Sequence, residues 1–335
     1  MIAKTTSIWV VVLAGGDGRR LGALTTDAAG ICTPKQYCSL NGGPSLLQLS
    51  LKRALRHALC ERIVVIVTEQ HRRWFEPALS SLPRLNVVVQ PHNRGTGLGV
   101  LLPLLLIERA DPRARVIFLP SDHYVANEDV LAESVRQAAK SETTDADQLV
   151  LLGIPPDAPD PGFGYIVPHA DSEAAMTSVH RFVEKPDREA ARMLIREGSL
   201  WNSGIFVGQA RILLDRYQHH FPALLKRFRS VVNSWVDPRL PSAELVALYA
   251  RHADVDFSRE ILQREPRHLQ LLPVAPCGWC DVGTPERLAT TLWELHSSND
   301  GRETRTPESD VFSLATAFAR VQTASSEQHA YEGLR

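Results

Sequence analysis

Residues 8–21 read IWVVVLAGGDGRRL, an apolar run that passes directly into a glycine-rich turn. The run is rich in valine, as expected of a buried strand. Glycines at the carboxyl end of a strand let backbone N–H groups approach phosphate oxygens, and the following arginines can add charge-assisted hydrogen bonds. The stretch therefore predicts a strand that ends in a triphosphate-binding turn. It is not a Walker loop, since no Gly-Lys-Ser/Thr follows, and alone it is as compatible with a plain strand-to-helix turn.

Similar short apolar runs recur along the first half of the chain, separated by segments of helical length and pattern. They are Ile8–Leu13, Ile63–Thr68, Asn86–Gln90, Val116–Leu119 and Leu149–Ile154. Between them, 45–59 and 127–140 are predicted to be crossover helices, the second with Asn127 as a possible cap. This alternation predicts a Rossmann-like α/β fold, in which helices flank a mixed, mostly parallel sheet.

The sequence pattern changes after the proline-rich segment 155–161. Shorter strands are predicted there, at 165–168, 179–184 and 204–207. We expect one domain over residues 1–297, with halves at about 1–154 and 155–297 and the second half closing over the sheet. Residues 298–335 are predicted to be a polar linker and C-terminal tail. The apolar segment 97–107 is too short to cross a bilayer and predicts a buried helix.

Composition excludes several classes of protein. A chain of 335 residues with 44% hydrophobic content can bury a sizeable core. Its 37 basic residues nearly cancel its 38 acidic ones, so we expect neither a nucleic-acid nor a membrane partner. Five cysteines, an odd number, favour a reducing compartment over a disulfide framework, and no signal peptide is visible, so a cytoplasmic location is expected.

Further motifs follow the glycine-rich turn. They read PKQ at 34–36, QPHNRGT at 90–96, PSDH at 120–123, GYI at 164–166, FVEKP at 182–186, WNSGIF at 201–206 and WCDVG at 279–283. With these motifs the chain resembles the mannose-1-phosphate guanylyltransferases, within the wider sugar nucleotidyltransferase family. The resemblance covers residues 10 to about 290, in the family's order. Each motif is weak alone, but chance agreement of all of them is remote.

The resemblance implies that GTP and mannose 1-phosphate react to give GDP-mannose and pyrophosphate, with Mg²⁺ as the metal. It makes residues 1–154 the nucleotide-binding half and 155–297 the sugar-binding half of a nucleotidyltransferase domain. It implies catalytic roles for Arg20, Lys35 and Asp122, and metal binding by Asp122 and Asp281. The nucleotide would be bound by Ala14, Gly15, Gly16, Gly18, Gln90, Gly95 and Thr96, and the sugar phosphate by Gly164, Tyr165, Glu184, Lys185 and Asn202.

Some alternatives stay open. The family's usual Thr-Ala-Pro-Ala run is replaced by TGLG at 96–99, which leaves room for another pair, such as UTP or dTTP with glucose 1-phosphate, or GTP with an unusual sugar phosphate. A non-catalytic sugar-nucleotide-binding subunit is a further alternative, and homodimer formation is left open. Cys277 and Cys280 have the spacing of a redox or metal pair, but they overlap the WCDVG motif, which favours a structural role.

Overall fold

The structure is a computed structural model that describes residues 7–27, 29–80, 82–83, 86–141, 147–169 and 175–300, without the side chains of 19 and 296–300. The predicted tail therefore lies almost entirely outside the described residues. The first residues of the predicted tail, 298–300, belong to the last helix, which continues to Asp300.

The strands are β1 Ile8–Ala14, β2 Ile63–Thr68, β3 Val87–Gln90, β4 Arg115–Pro120, β5 Tyr124–Val125, β6 Leu149–Ile154, β7 Gly164–Pro168, β8 Thr177–Glu184, β9 Leu200–Gln209, β10 Leu269–Pro273 and β11 Trp279–Cys280. Nine of them form one sheet in the order β3-β2-β1-β4-β9-β6-β10-β8-β7, and β5 pairs with β11 in a separate ribbon. Strands β3, β2, β1 and β4 are mutually parallel, whereas β9 is antiparallel to both β4 and β6.

The helices are α1 Gly22–Thr25, α2 Leu46–Ala54, α3 Arg72–Ala78, α4 Gly95–Ala110, α5 Glu128–Lys140, α6 Arg188–Arg196, α7 Ala210–His220, α8 Pro222–Ser234, α9 Ala243–Arg251 and α10 Pro285–Asp300. Both predicted crossover helices are present, and Asn127 caps α5 by accepting a hydrogen bond from the Val130 amide. None of the described helices combines the length and the apolarity needed to span a bilayer.

Alternation along the strands supplies two cores. Val11 packs on the face covered by α4, α7, α8 and α9, while Val10 and Val12 pack on the face covered by α2, α3, α5 and α6. Successive side chains of a strand point to opposite faces of the sheet, so a continuous apolar run is required where both faces are covered. The predicted mixed, mostly parallel sheet flanked by helices is therefore confirmed.

The second half joins the sheet instead of only closing over it. Strand β9 runs from Leu200 to Gln209, well beyond the predicted 204–207, and lies between β4 and β6. The register pairs Asn202 with Gly153, Trp201 with Tyr165, and Glu184 with Gly164. These pairings bring motifs from the second half to the edge at which β6 ends. In open α/β sheets, ligands bind at the carboxyl ends of the parallel strands.

Candidate functional site

A cavity of about 430 Å³ opens at this edge of the sheet. It is lined from the first half by Gly15, Gly16, Arg20, Gln90, Gly95, Thr96 and Asp122, and from the second half by Gly164, Glu184, Lys185, Asn202 and Asp281. Most of the residues predicted from the motifs are thus brought together, although they lie far apart in the sequence.

Four predicted residues do not line the cavity. Ala14 is fully buried, and Gly18 lies against the backbone of Lys35, where a β-carbon would come within 2.8 Å of the Lys35 nitrogen. Lys35 is itself buried and lies behind the wall. Tyr165 is fully buried, and its hydroxyl group accepts a hydrogen bond from the Asp160 amide and donates one to the Asp160 carbonyl. The residues Gly164, Glu184, Lys185 and Asn202, which are predicted to bind the sugar phosphate, form one wall of the cavity, here named the sugar-side wall. The structure places Tyr165 behind this wall, where it fixes a turn.

The glycine-rich turn is held in shape by Gln36. Its Nε2 atom donates to the carbonyl oxygens of Ala14 at 3.1 Å and Gly16 at 2.8 Å. A β-carbon on Gly15 would lie 2.3 Å from Gln90 Nε2, so only glycine fits there without displacing the Gln90 side chain. The turn is consequently tied to the segment that carries Lys35, and it lies close against Gln90 at the end of β3.

Lys35 joins the two predicted metal-binding residues. Its ammonium nitrogen lies 2.8 Å from Asp122 Oδ2 and donates to the carbonyl oxygen of Asp281 at 2.5 Å. Burial raises the pKa of Asp122, but the charge and hydrogen bond of Lys35, together with other neighbouring groups, lower it by more, so the net pKa lies below the ordinary value for aspartic acid. Asp122 is therefore ionised at neutral pH.

The Asp281 carboxylate is buried and held on one side. Its Oδ1 atom accepts hydrogen bonds from the Gly283 amide at 3.0 Å and from Arg287 Nη1 at 2.6 Å. Oδ2 lies 3.9 Å from Arg20 Nη2. The next residue, Val282, has a φ of 46°, a left-handed conformation that is strained for a β-branched side chain and is typical of functional sites.

The donor set of Asp122 and Asp281 suits a hard divalent cation. Both carboxylates line the same cavity, and Mg²⁺ typically takes one or two carboxylates together with phosphate oxygens and water. Asp122 and Asp281 offer carboxylate oxygens, whereas softer metals favour thiolates and imidazoles. The residues present therefore fit Mg²⁺.

The sugar-side wall carries a close ion pair. Lys185 Nζ lies 2.8 Å from Glu184 Oε1, and Lys185 has a left-handed backbone with a φ of 48°. Burial raises the pKa of Glu184, although the charge of Lys185 opposes the rise. A β-carbon on Gly164 would lie 2.6 Å from Glu184 Oε2, so a larger residue at this position would displace the Glu184 carboxylate. Asn202 Oδ1 accepts from the Gly204 amide at 3.2 Å, which leaves the side-chain Nδ2 of Asn202 available to a ligand.

The TGLG run at 96–99 is explained by packing behind the predicted nucleotide-binding residues Gly95 and Thr96. A β-carbon on Gly97 would lie 2.5 Å from Val255 Cγ1, and the Gly97 amide donates to the Val255 carbonyl at 2.7 Å. Thr96 Oγ1 accepts from the Phe257 amide at 2.9 Å. Small residues at the start of α4 thus admit the segment 255–258, whose Phe257 and Ser258 line the cavity. Sequence reasoning missed this segment, since it follows no recognisable motif.

Aromatic residues form the floor near the sugar side. Phe163 packs on Trp201 with ring centroids 4.3 Å apart, and His123 meets Trp279 edge-on at 5.1 Å. Burial lowers the pKa of His123 to about 4, so its ring is neutral at pH 7. His123 Nδ1 and Trp279 Nε1 are buried without a hydrogen-bond partner among the described residues. Such groups are expected to be satisfied by a ligand or by water.

Another group with metal-ligand chemistry lies outside the cavity. His219, His220 and Glu265 present ligand atoms within 4.8 Å of one another. Glu265 already accepts from His220 and from Arg216, each at 2.6 Å. The adjacent arginine charge opposes binding of a cation, so we interpret the cluster as an ion pair that ties α7 to the segment before β10.

Comparisons with known proteins identify a family and several relatives of this chain. The family described as nucleotidyl transferase matches residues 9–298. Mannose-1-phosphate guanylyltransferase ManC of Salmonella typhimurium is 32% identical over 324 residues, covering 93% of this chain and 62% of the relative. Mannose-1-phosphate guanylyltransferase of Escherichia coli K12 is 32% identical over 302 residues, covering 87% and 60%. The chain thus spans about 60% of the length of these relatives.

Solved structures share the fold. Mannose-1-phosphate geranyltransferase from Thermus thermophilus superposes with a TM-score of 0.73 at 24% identity, covering 86% of this chain and 79% of that one. UDP-glucose pyrophosphorylase complexed with UDP-glucose gives a TM-score of 0.55 at 14% identity, covering 88% and 100%.

The reactivity of the cysteine thiols tests the burial that the structure gives them. The five cysteines, all within the described ranges, are free. Burial raises the pKa of Cys38 to about 12 and also raises the pKa values of Cys277 and Cys280, whereas Cys32 is exposed. We expect an alkylating reagent at pH 7.5 to modify Cys32 first and Cys38 last, because the thiolate is the reactive form. Mass spectrometry of timed samples measures the order.

The alkylation rates and the metal content of the purified protein together test the structural role of the Cys277–Cys280 pair. Purified protein should contain no stoichiometric zinc, and replacing both cysteines with serine should leave its metal content unchanged. Rapid modification of Cys277 or Cys280, or zinc that disappears with them, would contradict this interpretation.

Proposed function

Because the chain belongs to the nucleotidyl transferase family, we propose that it transfers a nucleotidyl group from a nucleoside triphosphate to a sugar 1-phosphate. GTP and mannose 1-phosphate are the proposed pair, since the relatives of Salmonella typhimurium and Escherichia coli are mannose-1-phosphate guanylyltransferases. The observation that carries the proposal is the shared cavity, which is lined by the glycine-rich turn on one side and by Glu184 and Lys185 on the other.

The proposed reaction is a direct displacement. An oxygen of mannose 1-phosphate attacks the α-phosphorus of GTP, the bond from that phosphorus to the bridging oxygen breaks, and pyrophosphate leaves with the electron pair. The attacking phosphate is already ionised at neutral pH, so no general base is needed. Catalysis then depends on placing two polyanions in line and on stabilising the charge that develops.

The first half of the site would bind the triphosphate. Amide groups of the turn at Gly15 and Gly16 would approach its phosphates, and Arg20, which lines the same wall, would add a charged contact. The Lys35 ammonium lies at the junction of Asp122 and Asp281. Lys35 does not line the cavity, but its charge lies beside both predicted metal-binding residues. We propose that this charge stabilises the negative charge that grows on the departing pyrophosphate.

Asp122 and Asp281 would hold Mg²⁺ together with oxygens of the nucleotide. When bound, the metal would supply positive charge that offsets the negative charge of the phosphate groups. Opposite them, Lys185 would hold the sugar phosphate, while Glu184 and Asn202 would bind hydroxyl groups of the hexose. A cytoplasmic location and a homodimer stay predictions.

A matrix of substrates tests the proposed pair. Pyrophosphate release should require a divalent cation and should be fastest with GTP and mannose 1-phosphate. Faster release with UTP or dTTP and glucose 1-phosphate would transfer the assignment to that pair. No release with any combination, from protein that binds sugar nucleotide, would favour a regulatory subunit.

The two lysines test the division of the site. Lys35→Ala should lower the maximal rate by roughly 10²–10³, the scale for loss of one preorganised electrostatic contact, and saturating substrate should not restore it. Lys185→Ala should raise the Michaelis constant for mannose 1-phosphate much more than that for GTP, because ground-state binding is lost mainly on that side. Steady-state kinetics with each substrate varied in turn measure both effects.

Arginine at either position should not restore full function, because a planar guanidinium does not replace a compact ammonium. Equal effects of Lys185→Ala on the two Michaelis constants would exclude the sugar-side role of Lys185.

A further inference from the structure

Arg287 connects the two sides of the cavity, although no motif contains it. It lies in the first turn of α10, and its side chain is only 18% exposed. Nη1 donates to Asp281 Oδ1 at 2.6 Å, and Nη2 donates to Asp160 Oδ2. The guanidinium carbon lies 4.1 Å from the centroid of the Phe163 ring, which lines the cavity. One side chain therefore joins a metal-site carboxylate to the sugar-side wall.

Asp160 is firmly attached to that wall. Its backbone N–H and C=O groups both bond the Tyr165 hydroxyl, at 3.0 and 3.1 Å, and its Oδ1 accepts from the Gly162 amide at 2.6 Å. The segment 160–165 is thereby closed into a compact turn. A displacement of Asp160 would also move Phe163 and Gly164, both of which face the cavity.

At the other end of the bridge, Arg287 restricts Asp281. The Arg287 and Gly283 hydrogen bonds both fall on Oδ1, which leaves Oδ2 toward Arg20. Around the cavity, three carboxylates (Asp122, Asp160 and Asp281) face three cations (Arg20, Lys35 and Arg287) through these contacts, and Glu184 likewise faces Lys185. Their charges cancel, so a free divalent cation meets little net negative charge until a triphosphate enters.

We propose that Arg287 is a positioning residue with two effects. It holds the Asp281 carboxylate in register with the sugar-side turn at Asp160, and its charge keeps the affinity for a free divalent cation low. The effect on the sugar side rests on the proposed function, whereas the effect on the free cation does not.

Titration of the substrate-free protein with Mn²⁺, followed by electron paramagnetic resonance, tests the charge effect. Arg287→Met should bind Mn²⁺ severalfold more tightly than the wild type, because a positive charge beside Asp281 is lost. Asp160→Asn should not bind it more tightly. Arg192→Met is the matched control, since Arg192 pairs with Glu189 on the exposed face of α6, and it should behave as the wild type.

Kinetics test the bridge. Arg287→Met and Asp160→Asn should each raise the Michaelis constant for mannose 1-phosphate more than that for GTP. The double variant should be no worse than Arg287→Met alone, because both changes break one connection. Arg287→Lys should restore little, since one ammonium does not span two carboxylates.

Unchanged or weaker Mn²⁺ binding by Arg287→Met would overturn the charge effect, and additive kinetic effects would overturn the bridge. If the wild type fails to turn over GTP and mannose 1-phosphate, the proposed function fails instead. The Mn²⁺ titration still decides the charge effect in that case, because it contains neither substrate.

Discussion

The contact of Lys35 with Asp122 and with the Asp281 carbonyl is the interaction on which the site depends. Asp122 follows β4 in the first half of the chain, and Asp281 follows β11 near its end, so one buried ammonium fixes the distance between them. A buried lysine is costly unless its charge is paired and its donors are used. Here the groups that pair the Lys35 charge are Asp122 and the Asp281 carbonyl, at the edge of the sheet where both motifs meet. The contacts that make burial of Lys35 tolerable therefore also hold the two predicted metal-binding residues together.

The local parts of this arrangement could be predicted from the sequence. The apolar run and glycines of 8–21 specify a strand and a tight turn through residue type alone, and the cap at Asn127 is equally local. The motifs then identified most of the cavity wall. By contrast, the position of β9 between β4 and β6 depends on strand pairing across the whole chain, which no local pattern of Leu200–Gln209 records.

Residues that contact the site only through other residues could not be identified from the sequence either. Arg287 and Asp160 are separated by 127 positions, and neither belongs to a motif from which their contact could be predicted. Tyr165 was predicted as a sugar-binding residue, yet its hydroxyl group fixes the Asp160 turn from behind the wall. The glycine at position 97 looked like a departure from the family, and its cause, close packing against Val255, is visible only in three dimensions.

We propose that both substrates occupy one cavity and react directly, without a covalent intermediate on the protein. The stereochemistry at the α-phosphorus tests this claim most directly. With a single diastereomer of GTP that carries sulfur on the α-phosphorus, one in-line displacement should give a sugar nucleotide of inverted configuration, as determined by ³¹P NMR. Retention of configuration would require two displacements, and hence a nucleotidyl group held by the protein, and would contradict the account.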